Sequence, residues 1–276
     1  MPEPRFEARP DTTVRPPRPV WPRMDDIVAS LRAAGCVFAE EEASLLLAAA
    51  GSPQELAGMV ERRAGGLPLE HVVGWAEFAG LRISVGPGVF VPRRRTEFLV
   101  ARAAALLRPG AVVLDLCCGS GAVGAALAAA APGVELHAAD LDPAAVRYAS
   151  RNLAAARGQV YEGDLFAPLP AALRGRVDVL TANVPYVPTR EIPLLPSEAR
   201  DHEAPLALDG GADGLDLLRR VAREAGTWLA PGGTMLSETS RAQVPGALRA
   251  LRACGLTADT AHDDDMNATV VLATRP

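Results

Sequence analysis

From Pro109-Gly110 onward, short apolar runs of strand length alternate with stretches of helical periodicity, and no other feature constrains the chain as tightly. Strand patterns fall at 111–115, 134–139, 158–161, 177–182, 233–238 and 268–273. Helical patterns fall near 121–131, 143–156, 213–229 and 242–253. A strand–helix–strand succession calls for crossover connections, so the strands should lie mostly parallel in one sheet with helices on both faces. The expected class is α/β. Sheets of this kind bind ligands beyond the carboxyl ends of their strands, so the residues that close these runs are the first candidates for function.

Two strand ends stand out. The first run closes on Asp115-Leu116-Cys117-Cys118-Gly119-Ser120-Gly121. The run 177–182 closes on Asn183-Val184-Pro185-Tyr186, which begins 62 residues after Gly121. Gly119, Gly121 and Gly124 satisfy the dinucleotide pattern G-x-G-x-x-G, a weak signal alone. Asp115 argues against a dinucleotide, because an acid before the glycines repels a pyrophosphate and attracts a cationic sulfonium ligand. Asp140 ends the next strand, 19 residues past Gly121, where a carboxylate can accept both hydroxyls of a ribose. Asp142 precedes Pro143 and is expected to cap a helix instead. After the third strand, Asp164 can accept from an adenine amino group while Leu165 and Phe166 pack on the ring. With Cys117 and Ser120 in the loop, these residues form a candidate donor site.

The second strand end suits a different task. The lone pair of an amide nitrogen is delocalised, so it attacks a methyl group only when its N–H groups are held and the nitrogen is aligned. Asn183 offers a side-chain carbonyl and Val184 a backbone carbonyl, Pro185 stiffens the turn, and Tyr186 presents a ring to a planar group. Glu238, at the end of a late strand, is a weaker candidate. His202, within Arg200-Asp201-His202-Glu203, is expected to steady a loop rather than act as a base. His262 and Asp263-Asp264-Asp265 are expected to be a solvated run.

Composition removes other chemistries. The 28 positive charges are all arginine, which excludes a Walker lysine, a Schiff base and a lysine general base. A net charge of -5 argues against a strong sequence-independent hold on nucleic acid. Cys36, Cys117, Cys118 and Cys254 contain no C-x-x-C pair, so neither zinc nor a disulfide framework is expected. No signal sequence or membrane-length apolar run appears, and a cytoplasmic monomer is expected.

The amino-terminal third divides by pattern. Residues 1–22 are rich in proline and arginine and are expected to be a flexible arm. Residues 23–70 read as three short helices. Met24, Ile27, Val28 and Leu31 mark the first, Leu45, Leu46 and Leu47 the second, and Ser52-Pro53 opens the third. Residues 71–95 read as a β-hairpin linker, with Val72-Val73 and 81–85 flanking a turn at Ala79-Gly80 and with Trp75, Phe78 and Phe90 in its core. Residues 96–276 form the main domain, opening on a helix with Phe98, Leu99, Ala103 and Leu106 on its apolar face.

From about Leu67 to Pro276 the chain resembles the HemK/PrmC family of protein-glutamine methyltransferases. The resemblance rests on Leu67 to Gly74, Val91 to Glu97, Asp115 to Gly121, Gly163 to Phe166, Asn183 to Tyr186, and the specific block Ala207 to Gly214. It implies a Rossmann-like methyltransferase domain with a mostly parallel seven-stranded sheet and S-adenosylmethionine as donor. The implied acceptor is a glutamine side chain in a protein such as a release factor or ribosomal protein, recognised with help from the helical region. Three departures accompany it. Val184 stands where the family has the first proline of N-P-P-Y, Arg94 and Arg95 stand where it has proline and an acid, and the helical region is short. These features are similar to an actinobacterial-type branch whose substrate need not be a release factor. Two alternatives stay open: N6-adenine methylation of nucleic acid, whose target nitrogen is also conjugated, and a non-catalytic donor-binding module.

Overall fold

In the computed structural model, residues 21–276 are described and form two compact units, one reaching to Gly65 and the other spanning Gly66–Pro276. The expected arm, apart from its last two positions, lies outside the described residues.

The first unit is helical. Helices α1 (Met24–Ala33), α2 (Ala39–Ala49) and α3 (Pro53–Ala64) bury Ile27, Leu31, Ala43, Leu46, Leu56 and Met59 against one another. Met24 and Leu45 are largely exposed, so the apolar stripe is narrower than the sequence suggested. Ser52 accepts from the Glu55 amide at 3.1 Å, and Pro53 occupies the first helical position, which has no partner for an N–H. A buried ion pair ties α2 to α3, with Arg63 Nε 2.5 Å and Nη2 3.0 Å from the Glu42 carboxylate.

The second unit opens on α4 (Leu69–Val73), and this corrects one expectation. Val72 and Val73 are helical, not extended. Gly74, at φ 84°, ends that turn in the left-handed region and delays the strand to β1 (Trp75–Phe78). β1 pairs antiparallel with β2 (Leu81–Ser84) across Ala79-Gly80, as the turn residues implied. Phe78 is fully buried, while Trp75 and Phe90 are half-buried. Helix α5 (Thr96–Ala104) follows, burying Leu99 and Ala103. Leu106 lies past its end and is exposed.

The sheet then builds by alternation: β3 (Val112–Leu116), α6 (Ala122–Ala130), β4 (Glu135–Asp140), α7 (Pro143–Asn152), β5 (Gln159–Glu162) and β6 (Val177–Ala182). Short α8 (Ser197–His202) lies in the long connection to α9 (Asp216–Trp228) and β7 (Leu229–Glu238). Helix α10 (Val244–Ala253) precedes the hairpin β8 (Thr257–Asp263) and β9 (Ala268–Thr274). Helix α7 stops about one turn short of residue 156, at Asn152, and the chain turns there.

Seven strands lie in the order β5-β4-β3-β6-β7-β9-β8, parallel except for β9, which runs antiparallel to both neighbours. Because the strands are covered on both faces, alternate residues enter two cores. Leu114, Leu180, Met235 and Trp228 pack in one, and Val113, Val179, Leu236 and Val270 in the other. No hydropathy pattern marks β8, since in Thr257–Asp263 only Ala258 is buried on this edge strand. The acids at 263–265 form the β8–β9 turn, where Asp263 accepts from the Met266 amide.

Candidate active site

A cavity of about 430 Å³ lies at the carboxyl ends of β3, β4 and β6. Asp115, Cys117, Gly119, Ser120, Asp140, Asp164 and Leu165 line it on one side, and Asn183, Val184, Pro185 and Tyr186 line the other. The structure therefore gathers both groups of sequence candidates around one space. Two candidates stand apart. Phe166 does not line the cavity: it is buried in the core and stacked on Trp228, so only Leu165 of that pair is placed to pack on a ring. Gly121 is the other. It stands off the wall, and a Cβ there would meet Ala149 at 3.1 Å and Leu153 at 3.2 Å, so its role is to let α6 approach α7.

On the loop side, Asp140 organises the backbone. Its carboxylate accepts from the Gly119 amide at 2.8 Å and the Asp142 amide at 2.9 Å. A carboxylate has about four acceptor sites, so capacity remains beyond these amides. Burial raises its pKa, opposed by those amide donors. Asp142 caps α7 through the Ala144 amide at 2.7 Å, as its place before Pro143 implied. Asp115 is 1% exposed, with its oxygens taken by the Thr181 hydroxyl at 2.8 Å and the Gly124 amide at 3.0 Å. It braces β3 to β6 and α6 from within the wall. Burial pushes its carboxyl up to about 7. Burial likewise drives the Cys117 and Cys118 thiols upward, with Asp140 and Asp115 adding to the effect, so neither is a nucleophilic thiolate. Asp164 sits on the rim, where Arg220 Nη2 holds it at 2.6 Å.

On the other side, the turn after β6 is held from behind. The Ser237 hydroxyl donates to the Ala182 carbonyl at 2.6 Å, and Gln243 Nε2 donates to the Tyr186 carbonyl at 2.8 Å. The Gly210 amide donates to the Val187 carbonyl at 2.8 Å, and a Cβ at Gly210 would meet the Pro185 carbonyl oxygen at 2.7 Å. This close backbone approach explains why the block from Ala207 to Gly214 is glycine-rich. What faces the cavity is left open. Asn183 Oδ1 is buried without a hydrogen-bond partner, and no hydrogen bond among the described residues ends on the Val184 carbonyl. A buried carbonyl without a donor costs about 1–3 kcal/mol, so the Asn183 side-chain carbonyl is an acceptor with its capacity unspent.

Tyr186 is fixed by a network that spans the chain. Its hydroxyl donates to Glu238 at 2.6 Å, and Glu238 also accepts from the Thr96 hydroxyl and Arg95 Nε, each at 2.7 Å. Burial and the Glu238 charge raise the Tyr186 pKa well above the usual phenol range, so it remains a neutral donor. Glu238, marginal in the sequence, is thus a central positioning group. Its place at a strand end was the available signal, and Ser237 and Gln243 gave none. The 189–208 connection is latched by Glu203, which accepts from the Val91 amide at 3.0 Å and from Arg93 at 2.7 Å on both oxygens. The ion pairs expected around His202 are made by its neighbours Glu203 and Arg200, the latter with Asp201.

The model of the methyltransferase small domain family matches residues 81–194. The release factor glutamine methyltransferase of Streptomyces coelicolor is 41% identical over 216 residues, covering 76% of this chain and 75% of that protein. The 4-amino-L-phenylalanine/4-methylamino-L-phenylalanine methyltransferase of Streptomyces pristinaespiralis is 37% identical over 203 residues, covering 71% and 69%. Among solved structures, a methyltransferase from Pyrococcus furiosus aligns with a TM-score of 0.54 at 18% identity, over 71% of this chain and 89% of that one. That likeness carries the fold alone.

Proposed function

The chain belongs to the HemK/PrmC family of S-adenosylmethionine-dependent methyltransferases, and from that premise we propose that it methylates a glutamine side-chain amide nitrogen in a protein, with a release factor as the acceptor. The observation that carries this reading is the pair of unused carbonyls, Asn183 Oδ1 and Val184, side by side in the chain at the end of β6. A primary amide has two N–H groups, and two acceptors hold both while the nitrogen faces into the cavity.

The residues present fit the donor. Gly119 leaves open space beside its backbone on the cavity wall, Asp140 keeps acceptor capacity there, and Leu165 supplies apolar lining. We assign Asp140 to the ribose hydroxyls, the rim carboxylate Asp164 to the adenine amino group, and Cys117, Gly119 and Ser120 to the loop that encloses the donor. Asp115 and Gly121 hold that loop in shape. S-adenosylmethionine supplies an electrophilic methyl group on a sulfonium. The chain's own residues supply alignment. Asn183 and Val184 accept the amide protons, Tyr186 packs on the amide plane, and Pro185 limits the turn's freedom. Proton loss follows methyl transfer, so no strong base is needed, in keeping with a protonated Tyr186 and a Glu238 committed to three donors.

Val184 replaces a ring with a β-branched side chain, yet it is 2% exposed and packed in the core, which fixes the carbonyl by burial instead. The helical unit before Gly65 is proposed to help recognise the acceptor protein, the hairpin at 71–95 to link it to the catalytic domain, and the enzyme to act as a cytoplasmic monomer. Transfer to adenine is not favoured, because the relatives named for a macromolecular acceptor act on a release factor. The test is methyl transfer from labelled S-adenosylmethionine into a lysate of the host lacking this gene. One labelled protein with its methyl on glutamine is expected, and Asn183→Ala should abolish the label while donor affinity changes less than about threefold. Near-parental turnover by Asn183→Ala would sink the assignment.

A further inference from the structure

The acceptor side of the cavity carries a cation that the clamp does not use up. Arg95 lines the cavity, and its guanidinium carbon lies 5.8 Å from the Tyr186 ring centroid. Glu238 holds it through Nε at 2.7 Å, one of the five N–H groups on the guanidinium. Glu238 itself is sealed, with a side chain 3% exposed and two hydroxyl donors already on it, whereas the Arg95 side chain is 47% exposed. The arginine therefore stands between a fixed buried carboxylate and open space, one edge anchored and the other presented. Arg93 makes the contrast. It also lines the cavity, but both oxygens of buried Glu203 take its Nη2 at 2.7 Å and its side chain is less exposed, at 34%. Burial works against the Arg95 charge, but Tyr186 and Glu238 more than offset it, so Arg95 remains cationic.

We propose that Arg95 is a specificity residue that reads a carboxylate on the acceptor, within a few bonds of the nitrogen to be methylated. The presented edge of a guanidinium offers parallel N–H groups whose spacing matches the two oxygens of a carboxylate, and its charge strengthens both bonds. Anchoring by Glu238 removes much of the side-chain entropy that an exposed arginine loses on binding. The inference rests on the cavity being an acceptor site for a planar nitrogen. The carboxylate has two sources: an acidic side chain beside the target glutamine in a protein, or the α-carboxylate of a free amino acid.

The experiment is calorimetric titration of the full-length protein loaded with S-adenosylhomocysteine, using two pairs of probes. One pair is an end-blocked peptide with glutamine next to glutamate, and the same peptide with glutamine in place of that glutamate. The other is free L-glutamine and its α-amide. In at least one pair the carboxylate member should bind about tenfold tighter to the parent. Arg95→Gln should reduce that preference below about twofold, and Arg95→Lys should keep part of it, since charge persists without the fork. A preference in the peptide pair assigns the acidic neighbour, and one in the free pair assigns the α-carboxylate. Equal binding within both pairs, no binding of any probe, or a preference that survives Arg95→Gln would overturn the proposal. So would a tenfold loss of S-adenosylhomocysteine affinity in Arg95→Gln without any acceptor preference, because the arginine would then serve the donor's own carboxylate. Methyl transfer to the same probes is scored separately. A peptide bound with preference but never methylated defeats the glutamine reading and leaves the role of Arg95 standing.

Discussion

Replacing Asp115 by asparagine should change how stability depends on pH, and in a direction opposite to most acid substitutions. Burial lifts this carboxyl from its ordinary 3.8 to about 7, with the Thr181 hydroxyl and Gly124 amide only partly opposing the shift. The folded state therefore keeps a proton that the unfolded chain releases above pH 4. Stability is lost as pH rises from the unfolded value through the folded one, at up to about 1.4 kcal/mol per pH unit. Between pH 5 and pH 8 the folded group ionises late and the unfolded group is already ionised, so Asp115 costs the parent about 2–3 kcal/mol over that interval. Asparagine carries no such proton. Its carbonyl can accept from the Gly124 amide and its NH₂ can donate to the Thr181 oxygen, so the brace survives. Urea unfolding followed through buried Trp228 at pH 5, 6, 7 and 8 gives the comparison. The difference in unfolding free energy, variant minus parent, should rise by about 2–3 kcal/mol from pH 5 to pH 8. A difference that stays flat across this range would refute the claim that Asp115 is held protonated by burial.

Other substitutions test separate parts of the architecture. Glu238→Gln should lower kcat by about 10–100-fold with little change in KM, because the amide cannot accept from Tyr186, Thr96 and Arg95 together; steady-state kinetics checks this. Gly210→Ala should cost about 1–3 kcal/mol and at least tenfold in kcat, since the new methyl meets the Pro185 carbonyl oxygen at 2.7 Å and the Tyr186 Cα at 2.8 Å; thermal melting and turnover separate the two effects. Glu42→Ala removes the carboxylate that takes Arg63 Nε and Nη2 in the buried pair between α2 and α3 and should destabilise the helical unit by about 3 kcal/mol, seen as early loss of helical circular dichroism on heating.

The parallel sheet and both strand-end sites were legible in the sequence because each rests on local pattern. Residues 177–182 form a mostly apolar run, and Asn183 and Pro185 interrupt it with residues that strands disfavour. Three things were not legible. β8 is a polar edge strand that buries one alanine, so its pairing with β9 is decided by backbone hydrogen bonds rather than hydropathy. Val72-Val73 has strand propensity, but Gly74 closes a helical turn behind it, and the tertiary packing of buried Val72 prevails over the weak local preference. The network on Glu238 joins residues 142 and 52 positions apart, a convergence no local pattern encodes. Gly121 shows a related limit. A glycine that admits a neighbouring helix and one that admits a ligand look the same in sequence.

The position of β7 also bears on how the enzyme comes into being during synthesis. β7 lies inside the sheet, between β6 and β9, yet it is made after almost everything it supports. A nascent chain that has emerged just past β6, through Tyr186, already contains the loop from Asp115 to Gly121 and the tetrapeptide from Asn183 to Tyr186. It lacks Ser237, Glu238 and Gln243, which pin Ala182, the Tyr186 hydroxyl and the Tyr186 carbonyl. Until those residues leave the ribosome, β6 presents an unpaired strand edge and the turn after it has no backing. The growing polypeptide is therefore exposed to mispairing while the 183–186 turn is still unsupported, and both conditions end together when the last third of the chain folds onto the sheet.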